Sequence, residues 1–532
     1  MEYKRGRPSA SRTSEFVKTK ITALKEFWAE YKRYKIGLAG LVILFILIGM
    51  AIAANIVVPQ DIREHWATNP RWAFNPKEAP PAWVNMFSKT KYLEPTNLTL
   101  ISMDEFWKLC LNKSIARYKE ELKKYSPEKQ KLIIEHLKKV CKQRKGYYYV
   151  FEFYNHWDEV GKDAMVIIEN IQFNAIITMD IYRPDGINIT DIELARLTPI
   201  NSTYIKLQFH KGLAERIVEA LVKPIDGEDA ARSLSQKFRI KAVSTIPFIF
   251  AIAEPGISNL ATGTLKGQYR LVIGIEAQDT KVKLEELPVP RVAFKMLGAC
   301  YGLLGTDGNG RDNFITILLG SQLALLLGFS YSVAAVIVGV IYGALSGYLR
   351  GSGRIWADEI LQRINEVIYS LPVLPFLIIF SYYLRMVYKI QPNIWHIAGL
   401  LLIFGWTGVA IVTRSMALSI MGQPYIESAI AVGASGRRIL FRYVLPQLVP
   451  YAFAAIALSI PGAILMEAGL SFLGLTDPNM PSWGRMLNEA QGAIYAWWWV
   501  IPPGLMITVT AVAFAFIGTA LDTIVNPKLR RA

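Results

Sequence analysis

Apolar residues gather into six long runs, one near the start of the chain and five in its second half. A run of about twenty apolar residues is long enough to cross the hydrocarbon core of a membrane as a helix. The pattern therefore predicts an α-helical polytopic membrane protein with six transmembrane helices. The predicted spans are 36–58, 314–347, 364–386, 394–418, 447–475 and 497–522.

Residues 59–306 interrupt this pattern and contain no run of spanning length. Apolar and polar residues alternate in Tyr204–Phe209 and Tyr269–Glu276, as expected of half-buried strands. Ala164–Tyr182 is followed by a Pro-Asp-Gly turn signal and then by another strand-like stretch. Leu213–Val222 has helical periodicity. We expect an inserted α+β domain with its own core between the first and second spans.

Two of the three cysteines lie on segments with helical periodicity inside this region. Ser126-Pro127 interrupts the periodicity and suits the start of a second helix. Antiparallel helices joined there would set Cys110 opposite Cys141, since each lies about four turns from the bend. We predict that the two pair in an oxidising compartment; two unrelated buried thiols are the alternative. Cys300 is left without a partner.

Basic residues are distributed unevenly along the chain. Residues 1–35 are rich in Lys and Arg, and apolar residues from Val17 to Tyr31 recur there at helical spacing. This predicts a cytoplasmic amphipathic segment that leads into a retained first span. Further basic clusters follow the second, fourth and sixth spans: Arg350, Arg354, Arg363, Arg414, Arg437, Arg438, Arg442, Lys528, Arg530 and Arg531. By the positive-inside rule both termini lie in the cytoplasm, and 59–306 lies outside the cell.

The composition narrows the classes of function. The chain has 532 residues, is 52% hydrophobic and has a formal net charge of +16. Basic residues are not interleaved with aromatic ones, so we assign the charge to cytoplasmic loops and expect no nucleic-acid partner. Three cysteines and five histidines without H-x-x-x-H spacing argue against a metal site, and no G-x-x-x-x-G-K-[ST] loop occurs. We predict no catalytic residue, metal ligand or cofactor on this chain.

The glycine-rich stretch 305–312 has some features of a phosphate loop and of a calcium loop. It lacks the strand and helix that surround a phosphate loop. It also has Leu318 at the position where a calcium loop needs Glu. We predict instead a turn capped by Asp and Asn side chains.

The stretch 421–450 separates two apolar runs but is itself too polar to span. Pro424 suits the first turn of a helix, and small residues follow it. Ser435-Gly436 offers a bend, after which three arginines precede Pro446 and the next span. The pattern predicts a helix–turn–helix on the cytoplasmic surface that a partner grips; an ordinary interfacial loop is the alternative.

Within the predicted spans, Glu467 is the notable ionisable residue. It follows Pro461-Gly462, which we expect to break the fifth span. Charged groups at such depth face the bundle interior or a water-filled path. Glu467 is therefore a candidate for lining that path, with helix–helix hydrogen bonding as an equal alternative.

Several motifs resemble the permease subunits of ATP-binding-cassette (ABC) importers, whose signature is a cytoplasmic E-A-A-x-x-x-G loop ending in L-P. Glu427-Ser428-Ala429, Gly433, Ile439 and Leu445-Pro446 keep this register. Four further stretches resemble the C-type subunit of dipeptide and oligopeptide permeases. They are L-L-G-T-D-G-N-G-R-D at 303–312, E-A-G-L-S-F-L-G-L at 467–475, P-S-W-G at 481–484 and A-L-D-T-I-V-N-P-K-L-R at 520–530. The likeness is close over about 300–532, loose over 1–60 and does not cover 61–300. Ser428 and Tyr443 depart from the Ala and His that are usual in the family.

The resemblance implies a type I ABC importer fold, with a permease core at 307–532. A second, B-type permease would share the translocation path. Two cytoplasmic ATPases would bind ATP and Mg, and an extracellular solute-binding protein would deliver the solute. The cytoplasmic loop 421–446 would couple ATP binding to movement of the spans.

The resemblance also assigns roles within this coupling loop. Tyr425–Ala434 would form the coupling helix, with Ala429 and Gly433 in a groove of the ATPase. Glu427 would pair with a basic group or cap a helix there. Arg437 and Arg438 would face the ATPase or lipid phosphates. Pro446 would mark the end of the loop.

The implied solute is a dipeptide or oligopeptide, with oligosaccharides as an alternative because relatives of this subunit also serve oligosaccharide uptake. A secondary transporter or channel independent of ATP is a second alternative, but it would leave the E-A-A-like loop unexplained. A membrane-tethered receptor or enzyme would leave five spans without a role. We expect the outer domain to dock the solute-binding protein.

Overall fold

The computed structural model describes residues 25–98, 100–102, 111, 115, 122–143, 146–279, 282–390 and 393–525. The chain forms two compact units. One, here called the membrane unit, comprises the residues up to Asn69 and those from Asn313. The other is the inserted domain, Pro70–Asp312.

The α-helices are labelled in chain order. They are α1 (Lys35–Val57), α2 (Gln60–Glu64), α3 (Val84–Phe87), α4 (Pro127–Gln143), α5 (Lys211–Ile217), α6 (Lys223–Arg239), α7 (Ile246–Phe250), α8 (Asn313–Gly351), α9 (Ile355–Ser370), α10 (Val373–Met386), α11 (Ile394–Gly405), α12 (Thr407–Met421), α13 (Pro424–Ala431), α14 (Gly436–Ile439), α15 (Leu445–Phe472), α16 (Trp483–Glu489) and α17 (Trp497–Val525).

The inserted domain contains two antiparallel sheets. Their strands are β1 (Thr96–Leu98), β2 (Leu100–Ser102), β3 (Gly146–Asn155), β4 (Ala164–Ile171), β5 (Ala175–Tyr182), β6 (Asn188–Leu197), β7 (Ile200–Lys206), β8 (Gly267–Ala277) and β9 (Arg291–Met296). The sheet orders are β1-β9-β4-β7 and β2-β3-β8-β5-β6. Apolar side chains of both sheets and of α5, α6 and α7 share one core. The predicted α+β character of the insertion is confirmed.

The predicted Pro-Asp-Gly turn joins β5 to β6. Gly186 adopts a φ of +80°, a conformation that favours glycine, and its N–H donates to the Arg183 carbonyl. The buried Arg183 guanidinium also donates to Asp185 and to the carbonyls of Ile249 and Ala251. The turn thereby fastens α7 to the edge of the sheet.

The two ends of the inserted domain run side by side. The Ala79 N–H donates to Thr306 Oγ1 at 3.0 Å, and the Thr306 N–H donates to the Ala79 carbonyl at 2.9 Å. Asp307 caps the adjoining turn, since its carboxylate accepts from the N–H groups of Asn309 and Arg311 and pairs with the Arg311 side chain. This confirms the predicted capped turn.

Among its described residues, the membrane unit has five helical segments long and apolar enough to cross a membrane, and six if a bent pair counts as one span. Four of the six predicted spans correspond to α1, α8, the long helix ending at Phe472, and α17. The fourth predicted span corresponds to Trp395–Met421, which comprises α11 and α12 joined at Trp406. These helices are shown by the described residues, whereas their positions in a bilayer remain a prediction.

The predicted span at 364–386 does not consist of one continuous helix. Two helices, α9 and α10, cover this region and meet at an angle of 75°. Pro372 explains the break, because a proline disfavours helical geometry in the preceding residue, and Leu371 is extended with ψ 133°.

The predicted break at Pro461-Gly462 was also wrong. Helix α15 continues through Pro461 to Phe472. Proline is tolerated inside membrane helices because neighbouring groups satisfy the freed backbone carbonyl.

The N-terminal amphipathic segment is only partly covered. Residues 25–31 are helical, Trp28 is exposed, and Tyr31 is buried with its hydroxyl donating to the Gly37 carbonyl at 3.0 Å. Residues 1–24, including Val17, lie outside the described residues.

Glycines at every fourth position let α8 approach α12 closely. They are Gly339, Gly343, Gly347 and Gly351. A Cβ added at Gly343 would lie 2.1 Å from Thr413 Oγ1, and one at Gly347 would lie 2.7 Å from the Ala417 Cβ. Small residues at this spacing are typical of tightly packed membrane helices. The packing makes α8 and α12 a close pair that leads directly into residues 421–446.

Candidate functional site

The coupling loop 421–446 contains the predicted helix–turn–helix. Helix α13 begins at Pro424, whose missing N–H costs nothing in the first turn, and Gln423 before it is extended. Ser428 Oγ donates back to the Pro424 carbonyl at 2.9 Å. The second helix, α14, is the first part of a longer helix that runs on to Phe472.

Helix α13 ends in a Schellman motif centred on Gly433. The N–H of Gly433 donates to the Ile430 carbonyl at 2.9 Å, and the N–H of Ala434 donates to the Ala429 carbonyl at 3.0 Å. This pairing requires a left-handed residue after the helix, and Gly433 has a φ of +87°. Gly433 is therefore needed for the turn itself.

One side chain anchors α13 to the membrane unit. Ile426 is fully buried in a cluster with Val340 and Ala344 of α8 and with Ile439 of α14. The turn packs closely as well, since a Cβ on Gly436 would meet the Tyr348 hydroxyl. The helix is thus fixed on one side to the α8–α12 pair.

A hydrogen bond joins the start of α13 to the base of α15. Gln447 Nε2 donates to the Tyr425 hydroxyl at 2.7 Å and to the Tyr443 carbonyl at 2.8 Å. A π-helical turn, Leu440–Val444, precedes Pro446. Such a wide turn relieves the clash that the Pro446 ring would make with the carbonyl four residues earlier in a regular α-helix.

The opposite side of the loop is exposed. Ala429 and Ala434 are half-buried, whereas Val432 is 90% exposed. The other predicted site residues with exposed side chains or backbone are Tyr425, Glu427, Gly433, Arg437, Arg438 and Pro446. An apolar side chain between a carboxylate and a basic pair forms a surface that a protein partner can contact through mixed apolar and ionic groups.

An ion pair between α9 and α12 was not predicted from the sequence. Asp358 of α9 is fully buried, and Arg414 of α12 donates to both of its oxygens at 2.8 and 2.6 Å. Ser346 of α8 also donates to the carboxylate. The arginine was visible in the sequence only as a topology marker; nothing in the pattern around Asp358 identified its partner.

Glu467 lies apart from the loop and is buried. Ser471, one turn later on α15, donates to its carboxylate at 2.6 Å and contacts Thr476 at 2.9 Å. Close by, Gly484 packs against Ala468 with no room for a Cβ. The hydrogen bond between Ser471 and Glu467 lies within α15, so both helix–helix hydrogen bonding and the pathway-lining role of Glu467 stay predictions.

Cys110 of the predicted Cys110–Cys141 disulfide lies outside the described residues. Cys300 is a free, buried thiol of the inserted domain. Burial raises its pKa to about 11, with the Glu94 carboxylate contributing in the same direction.

Two family models match the chain. The model for the binding-protein-dependent transport system inner membrane component matches residues 335–531, and that for the N-terminal transmembrane domain of oligopeptide transport permease C matches residues 22–81.

Relatives with known names agree with these matches. The oligopeptide transport system permease protein OppC of Haemophilus influenzae is 32% identical over 43% of this chain and 71% of its own length. The dipeptide permease protein DppC of Bacillus subtilis is 34% identical over 43% and 69%. The glutathione permease protein GsiD of Pectobacterium atrosepticum is 34% identical over 43% of this chain. An inward-facing structure of the MetNI methionine ABC transporter covers 40% of this chain and 94% of its own, with 17% identity and a TM-score of 0.34.

The apolar helices and the matched models define an inner-membrane permease component of a binding-protein-dependent transporter. Within that class, the chain belongs to the family of OppC- and DppC-type permease subunits of ABC importers.

Proposed function

We propose that this chain is the C-type permease subunit of an ABC importer that takes up dipeptides or oligopeptides. The names of its relatives favour peptides as the solute. The observation that carries the proposal is the coupling loop, in which α13 is fixed to the α8–α12 pair on one side and exposed on the other. A loop of this form transmits force between a gripping partner and the spans.

The partners follow from this assignment. A B-type permease forms the translocation path with this chain, and two cytoplasmic ATPases hydrolyse ATP with Mg. The exposed groups of the loop, Glu427, Arg437 and Arg438, contact one ATPase. This chain itself has no catalytic part in the reaction, so ATP hydrolysis takes place on the partners.

The proposed topology counts α9 and α10 as one bent span, which gives six spans with both termini in the cytoplasm. The clusters of Arg and Lys after the second and fourth spans support this orientation. The inserted domain then lies outside the cell, where it docks the solute-binding protein. The fold of the membrane unit is that of a type I importer.

Purification of the tagged chain from its native membranes tests the proposal. We expect a second permease and two nucleotide-binding subunits to co-purify, and vesicles containing this complex to take up labelled peptides only with ATP and the binding protein. Uptake by vesicles that contain this chain alone would refute the proposal.

A further inference from the structure

Helix α9 has an unusual set of buried residues. Its fully buried side chains are Asp358 and Asn365, both polar, whereas its apolar side chains Trp356, Ile360 and Val367 are more than half exposed. Apolar packing within this chain therefore contributes little to holding α9 in place. Polar contacts take over that role. They are those of the buried Asp358 carboxylate and a hydrogen bond from the Tyr342 hydroxyl of α8 to the Leu361 carbonyl at 2.6 Å.

The Asp358 carboxylate joins three helices. Arg414 of α12 binds it through two parallel hydrogen bonds, and Ser346 of α8 donates to it at 2.5 Å. Arg350 of α8 also pairs with it, at 3.5 Å. Gln362, one turn after Asp358, donates to Ser346 Oγ at 2.9 Å. A bidentate arginine contact fixes direction as well as distance. The carboxylate is thus saturated by protein donors and is not available to a solute.

This network lies at the loop end of the helices. Ser346 is five residues before the end of α8, Asp358 is in the first turn of α9, and Arg414 is seven residues before the end of α12. Helix α12 leads into the coupling loop, and Ile426 of that loop is buried against α8. Movement of the loop is therefore passed first to the α8–α12 pair.

We infer that Asp358 is a positioning residue for transport: it fastens the bent pair α9–α10 to the α8–α12 pair, so that movement of the coupling loop reaches α9. The inference rests on the proposed function. Removing one member of a buried ion pair leaves the other charge unpaired. Without the carboxylate, the loop still engages the ATPase, but α9 no longer follows it.

The test uses the whole complex of this chain with its permease, ATPase and binding-protein partners in vesicles. The transported probe is the labelled peptide that the wild-type complex takes up fastest from a panel of di- to hexapeptides. Uptake and ATP hydrolysis are measured together and divided by the amount of assembled complex. For Asp358→Asn we expect uptake per ATP hydrolysed to fall about fivefold or more, the scale of coupling between distant sites.

Two further variants make the result specific. Arg414→Lys keeps the charge but loses the two-pronged contact, so an intermediate fall in uptake per ATP is expected. Glu366→Gln removes an equally short ion pair on the same helix, at 2.7 Å, but an exposed one, and should leave the ratio unchanged.

The possible outcomes distinguish failure of the positioning role of Asp358 from failure of the proposed transport function. A wild-type complex without ATP-driven uptake would overturn the proposed function. A functional wild type with an unchanged ratio in Asp358→Asn, or in Arg414→Lys if the first variant does not assemble, would overturn the positioning role. A structural role alone would reduce the amount of complex and leave the ratio constant.

Discussion

Gly433 occupies the glycine position of the family signature for a reason that belongs to the backbone. Its φ of +87° closes the Schellman motif at the end of α13, and a Cβ at this position would meet nothing within 4 Å. The family resemblance explains the small size of Gly433 by its contact with a groove of the ATPase. The structure adds a conformational requirement that acts before any partner is present.

Substitutions at Gly433 distinguish size from conformation. Asn tolerates the left-handed region, whereas a β-branched residue there costs about 1–2 kcal/mol. If conformation dominates, Gly433→Asn keeps most ATP-driven uptake in vesicles, while Gly433→Val loses about tenfold. Gly433→Trp should abolish uptake while the protein still inserts. Equal losses in the Asn and Val variants would instead show that only the space at this position matters, and normal uptake in the Trp variant would contradict the coupling role.

Cys300 gives the inserted domain a predictable response to alkali. The folded-state pKa of the thiol is about 11, above the ordinary value of 9.0, so the folded state resists its ionisation. The stability that depends on the neutral thiol is complete below pH 9 and is lost as the pH rises towards 11. Alkylation follows the thiolate, so we expect Cys300 in the folded chain to react with iodoacetamide far more slowly at pH 9 than after denaturation.

A Cys110→Ala/Cys141→Ala background isolates this thiol, and mass spectrometry measures its labelling. Equal labelling rates in the folded and denatured chains would contradict the buried position of Cys300.

At the scale of elements, the sequence predicted what depends on local pattern. The strand–turn–strand around Pro184 and the helix that begins at Pro424 each follow from residues within a few positions. The glycine spacing from 339 to 351 is also a local pattern, but it does not identify the helix against which α8 packs. The Asp358–Arg414 pair was not predictable, because 56 residues separate its members and their contact depends on how α9 packs.

The close approach of α8 and α12 makes single methyl groups costly. An added Cβ at Gly343 would lie 2.1 Å from Thr413 Oγ1 and 2.4 Å from the Ala410 carbonyl oxygen, and the latter is backbone that cannot rotate away. We expect Gly343→Ala to destabilise the detergent-solubilised protein by about 1–3 kcal/mol, measured by thermal unfolding.

Gly408 supplies the matched control on the facing helix. A Cβ there would meet nothing within 4 Å, so Gly408→Ala should be neutral or slightly stabilising through helix propensity. A Gly343→Ala protein as stable as the Gly408→Ala protein would show that α8 and α12 are not closely packed.

At the scale of the whole molecule, the sequence predicted an apolar helical part and a β-rich insertion, since each has its own periodicity. It could not predict the pairing of β1 with β9, which brings together residues about 200 positions apart, Thr96 with Met296. That pairing and the bonds between Ala79 and Thr306 place the two ends of the inserted domain next to each other. A domain of this kind is removable without stretching the chain around it.

Deleting residues 80–305 therefore tests the role of the inserted domain more cleanly than deleting 100–290, which would leave β1 and β9 without their sheets. A short Gly/Ser linker bridges the cut, because backbones paired in this way lie about 5 Å apart. If the domain docks the solute-binding protein, the shortened chain still co-purifies with the ATPases through its intact coupling loop. The affinity of the complex for the binding protein, measured by surface plasmon resonance, should then fall at least tenfold. Unchanged affinity in a normally assembled complex would remove the docking role from the inserted domain and leave it to the loops between the spans.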